Sequence, residues 1–153
     1  MKRLDGEAQP AGKTALIHVR QASESDLEAI GRIQAASPGA SQWNPLEYLA
    51  HDCRVALLEG RVAGFLAARA IIGPETEILN LAVDPGSRRR GVGRALVADL
   101  LRRRAGDFYL EVRESNLVAR RFYEHLGFRM VYRRAAYYHH PEEAAVVMKL
   151  HSC

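Results

Sequence analysis

Residues 87–93, Ser-Arg-Arg-Arg-Gly-Val-Gly, place three guanidinium groups and two glycines directly ahead of a helical pattern, Arg94-Ala95-Leu96-Val97-Ala98-Asp99-Leu100-Leu101. The chemistry this order suits is anion binding. The first N–H groups of a helix have no partner within it and sit at the positive end of its dipole, so a phosphate there is bonded by the main chain. Gly91 and Gly93 keep side chains out of its way. A nucleoside-triphosphate loop would end in Gly-Lys-Ser or Gly-Lys-Thr, and a dinucleotide fingerprint would need a third glycine three residues on; the chain has neither. On the loop alone, a solvated arginine run at a turn explains the residues equally well.

Two further side chains invite proton chemistry. Glu111 stands between Leu110 and Val112, where partial burial would make a carboxylate a better base, acting through a water. The alternative is an ordinary strand residue salt-bridged to an arginine. Tyr123, in Arg121-Phe122-Tyr123-Glu124, offers a phenol that is neutral at pH 7 and can donate to a departing thiolate. It could equally pack its ring and wet its hydroxyl. His139-His140 have no carboxylate or cysteine at ligand spacing and read as exposed loop residues, so no metal is expected. Cys53 and Cys153 are the only cysteines, which argues against a structural disulfide.

These residues need a frame. Residues 15–20 read as a strand, and Ser23-Glu24-Ser25-Asp26 as a capping-box start to a helix with Leu27, Ile30 and Ile33 on one face. Asn44-Pro45-Leu46-Glu47 begins a second, short helix running to about His51. Strands at 54–58 and 61–70 pair through the two-residue turn Glu59-Gly60, and a strand at 77–83 follows as their antiparallel neighbour. Asp84-Pro85-Gly86 then turns the chain into the basic loop and its helix. A fifth strand at 108–112 leads to a helix from Ser115-Asn116 that buries Ala119, Phe122 and Leu126 and stops at a left-handed Gly127. Strands at 128–133 and 144–150, joined by a loop at 134–141, complete the chain.

At 153 residues, 48% hydrophobic and 26% charged, this is one domain, expected over residues 15–153 behind a loose tail at 1–14. No apolar run is long enough for a signal peptide or a membrane span, so a cytoplasmic protein without a membrane partner is expected. The formal net charge is +4, with arginine clusters at 88–90 and 102–104. A basic, non-catalytic RNA- or ribosome-binding module is therefore one alternative reading.

The spacing Arg88-x-x-Gly91-x-Gly93 after a strand ending Leu81-Ala82-Val83 resembles the acetyl-CoA signature of the GNAT N-acetyltransferases. Leu110-Glu111-Val112-Arg113-Glu114-Ser115-Asn116 and Phe122-Tyr123-Glu124-His125-Leu126-Gly127-Phe128 resemble the end of that family's core, most closely its ribosomal-protein-alanine (RimI-like) branch. The resemblance implies an α+β GNAT fold, a mostly antiparallel seven-stranded sheet with about four helices on both faces. It also implies acetyl-CoA as co-substrate. Main-chain groups of Leu81, Ala82 and Val83 would hold the pantetheine, and one N–H there would face the thioester oxygen. The loop Arg88, Arg89, Arg90, Gly91, Val92, Gly93 and Arg94 would surround the pyrophosphate, with Asn116 on the pantetheine or phosphate arm. Glu111 would be the general base and Tyr123 the general acid, with Trp43, Tyr137 and Tyr138 on the acceptor. The implied acceptor is a protein N-terminus, an N-terminal alanine of a small-subunit ribosomal protein, with nucleic acid not expected as a partner. A small-molecule amine is the alternative within the family. Relatives carry Arg-Asn before the paired tyrosines where this chain has Ala135-Ala136, which bears on the choice of peptide.

Overall fold

A computed structural model describes residues 16–139 and 141–152; the expected tail at 1–14, His140 and Cys153 lie outside the described residues. The chain begins with β1 (Ile17–Gln21), a 3₁₀ turn (Glu24–Asp26) and α1 (Leu27–Ala35). Asp26 locks this start: it accepts the Ser23 N–H at 2.8 Å and both ends of the Arg20 guanidinium at 2.8 and 3.0 Å. Helix α2 (Pro45–Tyr48) is capped by Asn44, whose Oδ1 accepts from Leu46 N–H at 3.1 Å. It is shorter than its sequence suggests. From Leu49 to His51 the amides bond three residues back, which is 3₁₀ geometry.

Strands β2 (Asp52–Leu58) and β3 (Arg61–Ala70) form the expected hairpin, with Glu59 and Gly60 both left-handed, as a type I′ turn requires. Then come β4 (Glu75–Val83), a 3₁₀ turn (Pro85–Ser87), α3 (Val92–Arg103), β5 (Gly106–Arg113), α4 (Leu117–His125), β6 (Arg129–His139) and β7 (Glu142–Ser152). The sheet order is β1-β2-β3-β4-β5-β7-β6, and β4 with β5 is its one parallel pair among the described residues.

Alternate residues of β3 look to opposite faces, and each face has its own helices. Phe65 and Ala67 pack with Ile30 and Ile33 of α1 and Tyr48 of α2. Leu66 and Ala68 pack with Leu96, Val97 and Leu100 of α3 and Tyr123 of α4. The α4 helix departs from expectation: Ala119, Phe122 and Leu126 are only partly buried, and the residue driven fully inside is Tyr123. Its end is as expected, with Phe128 N–H on Tyr123 O and Gly127 N–H on Glu124 O, both at 3.0 Å.

The closing hairpin corrects the sequence reading more substantially. Residues 134–139 are not a loop; they prolong β6, so that Tyr137 and Tyr138 lie on a strand. Arg134 faces Ala145 and Tyr138 faces Glu143, so four steps along β6 match two along β7 and the surplus is taken up in a bulge, where Ala136 adopts a left-handed φ of 54°. A run of Arg-Arg-Ala-Ala has no alternation to reveal it.

Asp52, the first residue of β2, ties the end of α3 to the sheet by accepting from Arg103 at 2.8 Å and Arg104 at 3.3 Å. Burial alone would push its carboxyl up, but the two arginines outweigh that and hold it below its ordinary 3.8. The ion pairs therefore contribute fully above the unfolded carboxyl's pKa and are lost as pH falls through the folded one. Asp52→Asn is expected to lower stability by about 1–3 kcal/mol at pH 7. Thermal melts from pH 7 down to pH 2 should show the two proteins converging below about pH 4.

Candidate active site

The site is a parting of the sheet. Strands β4 and β5 pair from Glu75↔Asp107 to Ile78↔Leu110 and no further, although β4 runs on to Val83 and β5 to Arg113. The cause lies on the other edge of β4. Ala67 faces Asn80 while Ala68 faces Ile78, so Leu79 is an extra residue, a bulge that bends the strand where its pairing with β5 stops.

Past the bulge, β4 presents its main chain to the gap. Asp84 N–H donates to Ala63 O at 2.7 Å, and main-chain groups alternate sides along a strand, so Ala82 bonds toward β3 while Leu81 and Val83 turn to the opening. Of the three residues expected to offer main-chain groups, Ala82 therefore does not. The Leu81 N–H donates to the Asn80 Oδ1 at 2.9 Å, and Val83 O receives the Arg88 Nε at 3.4 Å.

Beyond the 3₁₀ turn lies the basic loop. Arg89 and Gly91 are both left-handed, with φ of 64° and 87°, and such turns bring successive N–H groups to one side as an anion-binding concavity. The first helical bond of α3 is Ala95 N–H to Gly91 O, so the amides of Val92, Gly93 and Arg94 point out of the helix start. The glycines serve different purposes. A Cβ at Gly91 would meet only Ile17 Cδ1 at 3.8 Å, so its backbone angle is what requires glycine. A Cβ at Gly93 would sit 3.1 Å from the Phe122 ring, so Gly93 admits α4 against α3 rather than clearing space for a ligand. The arginines divide too: Arg88 folds back toward Val83 O and the Ser37 hydroxyl, both at 3.4 Å, and Arg90 pairs with Glu59 at 3.5 Å. Arg89 and Arg94 are exposed.

Glu111 and Tyr123 lie on opposite faces of the sheet. Leu110 and Val112 belong to the core beneath α3 and α4, so Glu111 between them looks to the α1–α2 face. Its carboxylate, about one-fifth exposed, receives Arg134 Nε at 3.3 Å from β6. The bulged strand also brings Tyr137 to the same carboxylate, and that contact, more than burial, raises the affinity of Tyr137 for its proton. Tyr138 beside it lies under the Arg113 guanidinium, 4.3 Å from the ring centre, and burial pushes its phenol up to about 12.

Tyr123 is wedged edge-on between Phe122 and Phe128, at 5.1 and 5.4 Å, and burial holds its phenol firmly protonated. Among the described residues its hydroxyl has no hydrogen-bond partner. Among the described residues the sealed, unpaired side-chain atoms are Arg54 Nε and Arg103 Nη2, so the Tyr123 hydroxyl is not wholly sealed although the residue is only 7% exposed. Its proton is thus held by burial on a hydroxyl that no described protein group binds.

Asn116 caps α4 by accepting the Ala119 N–H at 3.2 Å, and its Nδ2 lies where a Cβ on Gly39 would come within 2.8 Å. Trp43 stacks on Tyr48 at 5.5 Å and packs on the α1–α2 core. Sequence reasoning missed Arg134, which carries no signal distinguishing it from its neighbours. It also missed the buried polar group Gln34, Tyr48 and Asn80. Asn80, a lone amide inside an apolar strand, was the available clue.

Residues 18–128 match the model of the acetyltransferase (GNAT) family. The chain belongs to the GNAT family. It is 37% identical over 97 residues to the [Ribosomal protein bS18]-alanine N-acetyltransferase of Escherichia coli, an alignment covering 60% of this chain and 65% of that protein, just under two thirds of its length. An uncharacterised N-acetyltransferase of Methanocaldococcus jannaschii is 30% identical over 141 residues, covering 86% of this chain and 90% of the relative. Among solved structures, Ard1 from Thermoplasma volcanium superposes with a TM-score of 0.81 at 28% identity, over 90% of this chain and 98% of that one. The E. coli ribosomal-protein-S18-alanine N-acetyltransferase superposes with a TM-score of 0.75 at 28% identity, over 88% and 93%. In this GNAT chain the described residues form a seven-stranded mixed sheet with four α-helices. No helix among its described residues is long and apolar enough to cross a membrane.

Family membership makes acetyl-CoA the group to test against this geometry. The loop concavity and the outward amides of α3 suit a pyrophosphate, and the main-chain groups of Leu81 and Val83 that turn from β3, held here by Asn80 and Arg88, suit an amide-bearing arm. Replacing Gly91 with Asn tests the loop, because asparagine tolerates a left-handed backbone while adding a side chain. Gly91→Asn is expected to fold with a melting point within a few degrees of wild type and to bind acetyl-CoA about ten-fold or more weakly in calorimetric titration. A folded variant of unchanged affinity would remove the loop from the cofactor site.

Proposed function

We propose that this chain is a cytoplasmic acetyl-CoA-dependent N-acetyltransferase acting on the α-amino group of a protein N-terminus, with the N-terminal alanine of a ribosomal protein as its acceptor. The observation that carries the proposal is the gap between β4 and β5, where the pairing stops at Leu110 and the Glu111 carboxylate follows directly on β5; the protonated Tyr123 phenol on the opposite face of the sheet supports it. The resemblance to the bS18-alanine enzyme supports the choice of acceptor.

In this reading the loop at 88–94 and the α3 amides bind the pyrophosphate, and Leu81 and Val83 orient the arm. Glu111 accepts a proton from the incoming ammonium through water, and Tyr123 donates one to the leaving thiolate, so the charge changes on both sides of the transferred acetyl group are met by side chains of one chain. Asn116 holds α4, and with it Tyr123, at the gap. Tyr137 and Tyr138, beside the Glu111 carboxylate, and Trp43, on the α1–α2 core, would receive the acceptor.

The deciding experiment combines a thermal shift with acetyl-CoA and a panel of peptides starting with free Ala, Ser, Gly or Met, alongside N-acetylated peptides bearing an internal lysine. A raised melting temperature and acetylation of the Ala peptide ahead of the lysine peptides are expected. Stabilisation by acetyl-CoA with turnover only on small amines would assign a small-molecule acetyltransferase. No stabilisation, together with salt-sensitive RNA binding, would assign a non-catalytic basic module.

A further inference from the structure

The buried polar group of Asn80, Gln34 and Tyr48 has no part in the chemistry above, yet it touches both substrate sides. Asn80 is 6% exposed and its carboxamide is fully engaged. Oδ1 accepts the Leu81 N–H at 2.9 Å. Nδ2 donates to Ser41 O and to the Tyr48 hydroxyl, each at 2.8 Å. The Tyr48 hydroxyl in turn donates to Gln34 Oε1, and Gln34 Nε2 donates to Trp43 O at 2.6 Å. The amide's orientation is dictated by its partners, since reversing it would set its NH₂ against the Leu81 N–H and its oxygen against the Ser41 carbonyl.

One side chain thus spans two places. On β4 it occupies a main-chain donor that faces the gap, two residues past the bulge. On the other face it fixes the segment from Ser41 to Tyr48, the loop and helix α2 above the acceptor side. Buried amides are costly to leave unpaired, so whatever takes the Leu81 N–H changes what Asn80 can hold.

We infer that Asn80 is a positioning residue that couples the cofactor strand to the acceptor-side loop: a carbonyl oxygen seated in the gap shares the Leu81 N–H with Asn80 Oδ1, and the carboxamide, partly released from β4, draws closer to Ser41, Tyr48 and Gln34, which its Nδ2 already bonds. The inference rests on the acetyltransferase reading above. The acyl carbonyl, rather than the remainder of the cofactor, becomes the signal that settles the acceptor loop. Free CoA lacks that oxygen and leaves Asn80 on Leu81. Acceptor affinity therefore rises when acetylated cofactor is bound and relaxes once the acetyl group has left, which assists product release.

The test measures the dissociation constant of an Ala-starting peptide by calorimetry in the presence of saturating CoA, and again with an unreactive ketone analogue of acetyl-CoA that keeps the acyl carbonyl. In wild type the peptide is expected to bind about ten-fold more tightly with the ketone analogue than with CoA. Asn80→Ala should bring that ratio to within about two-fold of unity. Tyr48→Phe, which keeps the ring stacked on Trp43 and removes only the hydroxyl, should reduce the ratio in a chain whose β4 is untouched, and decides the matter if Asn80→Ala does not fold. A merely structural role would lower the melting temperature and leave the ratio at its wild-type value in both variants, and that result overturns the inference. A wild-type ratio near unity overturns it as well. Wild type that binds neither CoA nor the analogue instead overturns the acetyltransferase reading from which it starts.

Discussion

Tyr123→Phe is expected to lower turnover by about two to four orders of magnitude while leaving acetyl-CoA affinity within about two-fold. The substitution keeps what the residue does for the fold. Its ring stands edge-on to Phe122 and Phe128 in the core under α3 and α4, and phenylalanine fills the same space. Since the hydroxyl has no hydrogen-bond partner among the described residues, removing it strands no donor or acceptor, and the melting temperature should stay within a few degrees. The separation of a large kinetic effect from a small structural one distinguishes a proton donor from a packing tyrosine. Burial also raises the phenol above its ordinary value of 10.0. The proton is therefore present throughout the neutral range, and no alkaline fall in kcat attributable to this group should appear below about pH 10. Near-normal turnover in the variant would hand the protonation of the thiolate to water.

The elements that carry the site were legible where local chemistry fixes them. Ser23 and Asp26, Asn44 and Pro45, and Gly127 each mark a helix end by a hydrogen bond or a backbone angle that few other residues supply, and all are used as the sequence suggests. Glu59-Gly60 gives the hairpin for the same reason. What the sequence could not display are features that depend on counting residues across strands. The bulge at Leu79 exists because β3 and β4 fall out of step by one, and nothing in Ile78-Leu79-Asn80-Leu81 announces it. The bulge at Ala136 likewise turned an expected loop into strand and delivered Arg134 and Tyr137 to Glu111. The two glycines of the signature were assigned one role from their spacing, whereas Gly91 answers to a backbone angle and Gly93 to the Phe122 ring. Glu111 is largely buried and salt-bridged to an arginine, so the ion pair named in one reading of its sequence and the burial named in the other occur together, and its role as a base is left to experiment.

That pairing sharpens the second large effect, expected for Glu111→Gln. A free α-amino group titrates near about 7.7 to 8.0 and a lysine side chain near about 10.4, so at neutral pH the α-amine is neutral a few hundred times more often. A carboxylate working through water can complete the deprotonation of the first and not of the second. The carboxylate already holds Arg134 at 3.3 Å, and that half-exposed guanidinium also lies over the Tyr137 ring at 5.3 Å, so the acceptor's ammonium and its relaying water would approach beside it. Glutamine keeps the size of the side chain and its bond from Tyr137, but it can neither accept the proton nor attract the ammonium. Turnover of an Ala-starting peptide at pH 7 should therefore fall by about two to four orders of magnitude. The deficit should shrink as pH rises past about 8, where the peptide arrives already neutral. The N-acetylated, lysine-bearing counterpart should be a poor substrate for wild type and should not recover in the same range. The measurement is a pH-rate profile of both proteins on both peptides. Equal wild-type rates on the two peptides would count against an N-terminal acceptor, and a Glu111→Gln profile parallel to wild type at every pH would take Glu111 out of the base role.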